Sequence, residues 1–249
     1  MLKKLIQPFL KNEKCFILAY DHGSNKNPEI FKYQSANPTY IFELAKSINA
    51  TGIVLNKGIA EIYSQTSYKT PLIIKLDTKS ENTNIPTLIC SVEYAKKLGA
   101  KAIGYTIYFG SEYEAEQIKV FSELVEQAHS LNMAAILWAY VVLPSWKVDN
   151  DVENLLFAFR QSYELGADLV KIHNPNGSVN ISELHALIPN LPISMRGGEP
   201  TDNKDLLIWI KESLAKGIDG FIIGRNLWQK ENATEIGKQI YKIVFEKNI

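Results

Sequence analysis

Lysine 171 stands in an apolar run, Leu169-Val170-Lys171-Ile172, within the stretch GADLVKIHNP. An ammonium in such a run is expensive to desolvate, so the residue has to be paired, neutral or functional. Side chains alternate along a strand. If Val170 and Ile172 face a surrounding layer, Lys171 points into the interior that the strand helps enclose. Crowding and dehydration there lower the pKa of an amine. At a pKa of about 10.4, under roughly one amine in a thousand is neutral at pH 7; near 8, about one in ten is. Neutral amine is the nucleophile that adds to a carbonyl, so the position suits Schiff-base chemistry. The competing reading is a salt-bridged interior lysine with Asp21 as its natural partner. Lys75 in PLIIKL also lies between apolar residues, and the run alone does not rank it below Lys171. Lys57 follows GIVLN on the loop side, where solvent would keep it charged.

Other residues extend this constellation. RGGEP supplies Arg196, Gly197 and Gly198, and GRN supplies Gly224, Arg225 and Asn226. Each is a glycine-bearing turn with an arginine, so together they offer backbone N–H groups and guanidinium charge for a phosphate. Tyr140 closes ILWAY and is either an aromatic cap on the core or a hydroxyl acid/base. Trp138, two residues earlier on the same face, would form an apolar wall. Asp21 could hydrogen-bond a substrate hydroxyl or stabilise a charged lysine. The four histidines, 22, 129, 173 and 185, lack metal-ligand spacing. His129 and His185 fall on helical stretches and read as surface or satisfied core residues. His22 and His173 come without an evident third ligand, so no zinc site is expected. No G-x-S-x-G or Ser-His-Asp pattern occurs.

These residues need a scaffold that brings them to one end of a sheet. Eight short β-rich runs recur: FILAY from 16, GIVLN from 52, PLIIKL from 71, AIGYTIY from 102, AAILWAY from 134, DLVKIH from 168, PISM from 192 and GFIIG from 220. Most are unbroken apolar runs, which suits parallel strands covered on both faces. Helical stretches lie between them. SEYEAEQIKVFSELVEQAHS predicts a capping box from Ser111 to Glu114 and a buried face of Ile118, Phe121, Val125 and Ala128. DVENLLFAFRQSYELG predicts Asp151 as N-cap and Gly166 as the left-handed residue past the helix end. NKDLLIWIKESLAKG puts Leu207, Ile210 and Leu214 on a stripe and ends at Gly217. The joints KKLGAKAIGY, YELGADLVKI and LAKGIDGFII share one plan, helix end, glycine, strand, as tandem αβ units should. Eight strands alternating with helices over 249 residues predict a (β/α)8 TIM barrel, α/β in class, as a single domain over residues 1–249. An open doubly wound sheet is the alternative, but no G-x-G-x-x-G follows the first strand. In a barrel every candidate above falls at the C-terminal ends of strands, where barrel active sites form.

Bulk composition bounds the partners. With 27 acidic and 27 basic residues, formal net charge is zero, which removes a broad electrostatic case for nucleic acid or an anionic membrane. The longest apolar run, AAILWAYVVL, is about half of the ~20 residues a spanning helix needs. Two cysteines, Cys15 and Cys90, lie far apart and read as buried thiols in a reduced, cytoplasmic setting.

The strings ILAYDHG, KAIGYTIYFGS, ILWAY, LVKIH, SMRGG and GFIIGRNLWQ resemble the archaeal-type class I fructose-1,6-bisphosphate aldolases, (β/α)8 barrels related to deoxyribose-phosphate aldolase. The resemblance spans about residues 16 to 230, with the strings in family order. It implies that Lys171 forms the Schiff base, Tyr140 is the acid/base, Asp21 acts on substrate hydroxyls and Trp138 lines the site. It also implies a phosphate held by the loops at Gly197-Gly198 and Gly224-Arg225, a metal-independent lyase without cofactor, and a homo-oligomer, often a decamer in the family. The implied substrate is fructose 1,6-bisphosphate, cleaved to dihydroxyacetone phosphate and glyceraldehyde 3-phosphate. Four departures stand against it. Arg196 replaces the usual serine before the double glycine. Val141-Val142-Leu143-Pro144 replaces the usual Pro-Arg-Gly after the tyrosine. DHGSNKNP lacks the second histidine and glycine, and KIHNPNG replaces a Lys-Tyr-Thr-Gly-Asp-like stretch. They leave the carbonyl end intact and the distal half of the substrate open. The alternatives are a family enzyme with another substrate, of the amino-dideoxyheptulosonate synthase or phospho-autoinducer-2 thiolase kind, or a catalytically lapsed barrel that binds sugar phosphate.

Overall fold

The structure is a computed structural model that describes residues 3–24, 31, 33–79, 85–142, 152–173, 181–188, 190–198 and 200–246. Its strands are β1 (Cys15–Tyr20), β2 (Gly52–Leu55), β3 (Leu72–Lys75), β4 (Asp77–Lys79), β5 (Pro86–Leu88), β6 (Ala102–Phe109), β7 (Ala134–Val141), β8 (Leu169–Ile172), β9 (Ile193–Arg196) and β10 (Gly220–Ile223). Helices are α1 (Lys3–Ile6), α2 (Pro38–Ser47), α3 (Lys57–Ser64), α4 (Val92–Lys97), α5 (Glu114–Ser130), α6 (Val152–Glu164), α7 (Ile181–Leu187), α8 (Asn203–Ala215), α9 (Arg225–Trp228) and α10 (Ala233–Phe245). Eight strands close a parallel barrel in the order β1-β10-β9-β8-β7-β6-β3-β2. This is the (β/α)8 architecture expected from the eight apolar runs, each of which supplies one barrel strand. No helix among the described residues is long and apolar enough to cross a membrane.

Alternation along the strands divides two cores. Ala134, Ile136 and Trp138 of β7 and Leu169 of β8 face the barrel interior. Ala135, Leu137 and Ala139 of β7 and Val170 and Ile172 of β8 face the helices. Both faces are buried, hence the lack of apolar/polar alternation in the sequence. Ile6 and Phe9, at the N-terminal segment, join the interior cluster. The Phe9 ring lies where a Cβ on Gly52 would come within 2.8 Å of it, so β2 carries glycine at that point.

The repeated joints behave alike. Gly99, Gly166 and Gly217 have φ of +87°, +86° and +94°, the left-handed region that ends a helix at little cost only for glycine. Acids just before two of the strands that follow tie them to the barrel strand before. Asp168 accepts from the Ala135 N–H at 2.8 Å and from His129 Nε2 at 2.8 Å. Asp219 accepts from the Ile193 N–H at 2.7 Å, with His185 Nε2 at 2.9 Å from the same carboxylate. The two helical histidines are thus engaged in structural contacts, as their position in the sequence suggests. Cys15 and Cys90 are both buried free thiols.

Two local expectations change, and one element is added. The Ser111–Glu114 capping box does not form: α5 begins at Glu114 with Tyr113 as an uncapped N-cap. Glu114 instead accepts from the Gly110 N–H at 2.7 Å, and Ser111 Oγ accepts from Gln117 Nε2 at 3.3 Å, because the chain makes a turn between strand and helix. On α8 the buried stripe is Leu206, Ile210 and Ser213, one residue away from the expected Leu207 and Leu214, which are half-buried. The third unit carries an antiparallel ribbon, β4 with β5, which no sequence pattern announced. Asp151, the expected cap of α6, lies outside the described residues.

Candidate active site

The C-terminal ends of the strands surround a cavity of about 330 Å³. Asp21, Trp138, Tyr140, Lys171 and Arg196 all line it, from the ends of β1, β7, β8 and β9. Lys171 points inward, as alternation with Val170 and Ile172 requires, and is 8% exposed. Its neighbour across the β7–β8 ladder is Trp138, and Lys171 Nζ sits 5.0 Å from the indole centroid.

The three competing lysines are now distinguishable by their partners. Lys57 is an exposed residue at the start of α3 and lines no part of this cavity. Lys75 is as buried as Lys171, but its ammonium is ion-paired with Asp77 and donates to Thr106 Oγ1 at 2.7 Å. Asp77 Oδ1 also accepts from the Thr106 N–H at 3.0 Å, so the carboxylate is locked in place. Lys75 is therefore the salt-bridged interior lysine that the sequence offered as one reading of Lys171. Lys171 forms no close ion pair among the described residues. Burial lowers its pKa; Asp21 opposes the fall, and the positive charges of Arg196 and Lys75 add to it, leaving it pushed down to about 8. Roughly one amine in ten is then neutral at pH 7, some three-hundredfold more than at the ordinary value.

Two further ionisable groups are pushed apart. Burial works against the Asp21 carboxylate, but His22, Lys171 and Lys75 outweigh it and hold its pKa below the usual range. His22 Nδ1 lies 3.6 Å from Asp21 Oδ1. Asp21 is fixed from behind, since Asn56 Nδ2 donates to its backbone carbonyl at 3.1 Å and Trp228 Nε1 donates to Ala19 O at 2.9 Å. Burial raises the Tyr140 phenol; the charge and hydrogen-bonding of Arg196 pull it back, and Asp21 and Asp77 push it further up. An ionised carboxylate and a protonated phenol therefore share the cavity with a partly neutral amine. That combination has the ionisation states that a nucleophile with a separate acid and base would need.

The glycine turns stand beside this cavity. Gly197 and Gly198 line an adjoining space of about 240 Å³, and Arg196 forms a wall common to both. Asn226 ties the two turns together, donating to Gly197 O at 2.5 Å and accepting from the Thr201 N–H at 2.9 Å. A Cβ on Gly197 would meet Ile223 Cγ2 at 2.9 Å, and one on Gly224 would meet the His22 ring at 2.5 Å. Both glycines leave room for a neighbouring side chain. Arg225 opens the short helix α9, is half-buried and lines neither space, so its side chain is not brought to Lys171.

Several lining residues escaped the sequence reading. Tyr108 stacks on Tyr140 with centroids 5.6 Å apart, and Lys79 of the ribbon places its Nζ 4.9 Å from the Tyr108 centroid. Gly104, Thr106 and Tyr108 alternate inward along β6, a signal that was present in GYTIY but hidden because Ile and Tyr fill the outward positions. Gly104 makes room for the site: a Cβ there would stand 2.3 Å from the Trp138 ring. The segments after Val142 and after His173, which carry two of the departures, lie outside the described residues, as do residues 25–30 of the Asp-His-Gly loop.

Residues 15–230 match the family described as DeoC/LacD family aldolase. The fructose-bisphosphate aldolase class 1 of Thermoproteus tenax is 34% identical over 253 residues, covering 98% of this chain and 95% of that protein. The 2-amino-3,7-dideoxy-D-threo-hept-6-ulosonate synthase 1 of Archaeoglobus fulgidus is 28% identical, covering 97% and 90%. A solved structure of a Schiff-base-forming fructose-1,6-bisphosphate aldolase superposes with a TM-score of 0.91 at 31% identity, covering 98% of this chain and 100% of that one.

Proposed function

Because the chain belongs to the DeoC/LacD family of aldolases, we propose that it cleaves and forms a phosphorylated ketose through an imine at Lys171, with fructose 1,6-bisphosphate as the first substrate to test. The observation that carries this reading is the contrast between two buried lysines, one locked to a carboxylate and the other left partly neutral in the same cavity.

Neutral Lys171 adds to the ketone at C2. Tyr140, protonated at rest, gives its proton to the departing hydroxyl of the carbinolamine, so water leaves and an iminium remains. The resulting phenolate takes the proton of the C4 hydroxyl as the C3–C4 bond breaks. Its electron pair flows into the iminium, the aldehyde departs, and an enamine is left on Lys171. Protonation at C3 and addition of water return dihydroxyacetone phosphate and free amine. Asp21, held ionised, accepts a hydrogen bond from a substrate hydroxyl. Trp138 forms the apolar wall behind the amine. Backbone N–H groups at Gly197-Gly198 and at Gly224-Arg225 hold the phosphate, which places C2 beside Lys171 and supplies the proximity advantage.

A second reading keeps the chemistry and changes the distal half of the substrate. Val142, at the place where the resembling family carries arginine, lines the cavity and offers no charge to a second phosphate. Steady-state assays over a panel of phosphorylated ketoses and aldehydes, with Lys171→Met as control, separate the readings: fastest turnover of fructose 1,6-bisphosphate supports the first, and turnover of other members alone supports the second. Binding of sugar phosphate without any turnover would mark a lapsed barrel. The reading also carries a cytoplasmic setting, in which Cys15 and Cys90 stay reduced, and a homo-oligomer that light scattering would size.

A further inference from the structure

Arg196 reaches inward from β9 and forms a wall of both the main cavity and the space beside the Gly197-Gly198 turn. Its Nη2 donates to His173 Nε2 at 3.0 Å, and its Cζ lies 5.6 Å from the centroid of the Tyr140 ring. A guanidinium has donors only, so His173 must offer the lone pair of Nε2 and carry its proton on Nδ1. The partner of Arg196 is therefore a neutral ring, and it leaves the positive charge uncancelled. Arg196 Nε is buried without a hydrogen-bond partner, and among the described residues no carboxylate pairs with the side chain. Arg196 is half-buried at the cavity wall, so part of the desolvation cost of its charge goes without the carboxylate that would ordinarily offset it.

The charge is directed at Tyr140. Tyr108 of β6 stacks on the Tyr140 ring with planes 15° apart, while Arg196 of β9 approaches the same ring, so two elements fix it. Asp21 at the end of β1 and Asp77 of β4 act on the Tyr140 phenol with negative charge, and Lys171 stands on the neighbouring strand β8. Arg196 counters the two carboxylates through its charge and its N–H groups.

We propose that Arg196 is the positioning residue of Tyr140: His173 fixes the guanidinium, and the guanidinium aims the Tyr140 hydroxyl into the cavity and stabilises the phenolate formed each time that hydroxyl gives up its proton. The phosphate is then left to the backbone of the glycine turns, and Arg196 is not its anchor. This inference rests on the aldolase reading, because it presupposes that Tyr140 moves protons.

The test is a double-mutant cycle on the full-length enzyme, with pH–rate profiles for Arg196→Ser, Arg196→Lys, Tyr140→Phe and the Arg196→Ser/Tyr140→Phe pair. Arg196→Ser is expected to lower kcat at least tenfold while KM for the phosphorylated ketose moves less than threefold. The alkaline limb of its profile should move to higher pH, since the phenol loses its positive neighbour. In the Tyr140→Phe background the same change should cost less than twofold. Arg196→Lys, which keeps the charge should the serine variant fail to fold, should show a smaller loss and a smaller shift of the limb. A tenfold rise in KM with kcat retained would make Arg196 a phosphate ligand and overturn the proposal. Equal losses with and without the Tyr140 hydroxyl, or an unmoved pH limb in both arginine variants, would also overturn it. Wild-type enzyme that never forms a borohydride-trapped adduct defeats the aldolase reading itself, a failure distinct from the other two.

Discussion

Lys75 and Lys171 face the same indole: their Nζ atoms lie 5.3 and 5.0 Å from the centroid of Trp138. One is held by Asp77 and Thr106, and the other has no such partner. Two amines of similar burial on neighbouring parts of one cavity thus take opposite roles. Burial does most to lower the pKa of the unpaired one, and the charge of the ion-paired one adds a smaller push in the same direction. The site depends on this asymmetry, and so do the outcomes below.

Replacing Lys171 should stabilise the fold. Its pKa of about 8, against an ordinary 10.5, means that the folded chain resists a proton that the unfolded chain takes up. Above 10.5 the amine is neutral in both states and burial carries no ionic penalty. The penalty grows as pH falls towards 8 and is complete below it, reaching about 3 kcal/mol as an upper bound. Lys171→Met is therefore expected to abolish turnover and raise the urea midpoint at pH 7, with the gain shrinking as pH rises from 8 to 10. Equal or lower stability at pH 7 would mean that the amine is not strained by burial.

Breaking the Lys75–Asp77 pair should do the reverse. Removing one member of a buried pair strands the other, a change that costs about 3–5 kcal/mol. Lys75→Met and Asp77→Asn are each expected to destabilise by that order, and the double variant by clearly less than their sum. Additive losses in denaturant titrations would show that the two side chains do not depend on each other.

Gly104→Ala tests the packing behind the amine. The new methyl would stand 2.3 Å from Trp138, so the ring must move, and overpacking of this kind costs about 1–3 kcal/mol. We expect a fold that survives, a shifted tryptophan emission and at least a tenfold loss of kcat. Unchanged activity would remove Trp138 from the list of residues that shape the site.

Metal removal should have no effect on the reaction, because the iminium itself accepts the electron pair of the broken bond. Activity after exhaustive dialysis against a strong chelator is expected to equal that of untreated enzyme. Loss that added zinc restores would point to a different electron sink.

Much of this was legible in the sequence because the barrel buries its strands on both faces. The eight runs and the three glycine joints follow from that, and alternation around Lys171 alone dictated that its amine turn inward. The apolar runs alone could not rank Lys171 against Lys75, since both sit between apolar neighbours; only the family resemblance favoured Lys171. The difference lies in Thr106, 31 residues along the chain from Lys75, and in the bend that folds Asp77 back onto its ammonium. Tyr108 was obscured for a related reason: an inward tyrosine in a run of outward aromatics carries no periodic mark. Arg196 is a residue of the site in the sequence reading, but its contact with Tyr140, over the intervening strand β8, depends on side-chain direction, which a turn motif does not specify. On α8, Ile210 is buried as expected, whereas Leu207 and Leu214 are half-buried at the edges of the face, with Leu206 and Ser213 beside them at its centre.

The account is tested most directly by reducing the enzyme with borohydride in the presence of dihydroxyacetone phosphate and mapping the labelled peptide. A single adduct on Lys171, absent from Lys171→Met and present in Lys75→Met that retains its fold, is the predicted result. An adduct on Lys75, or no adduct from active enzyme, would contradict it.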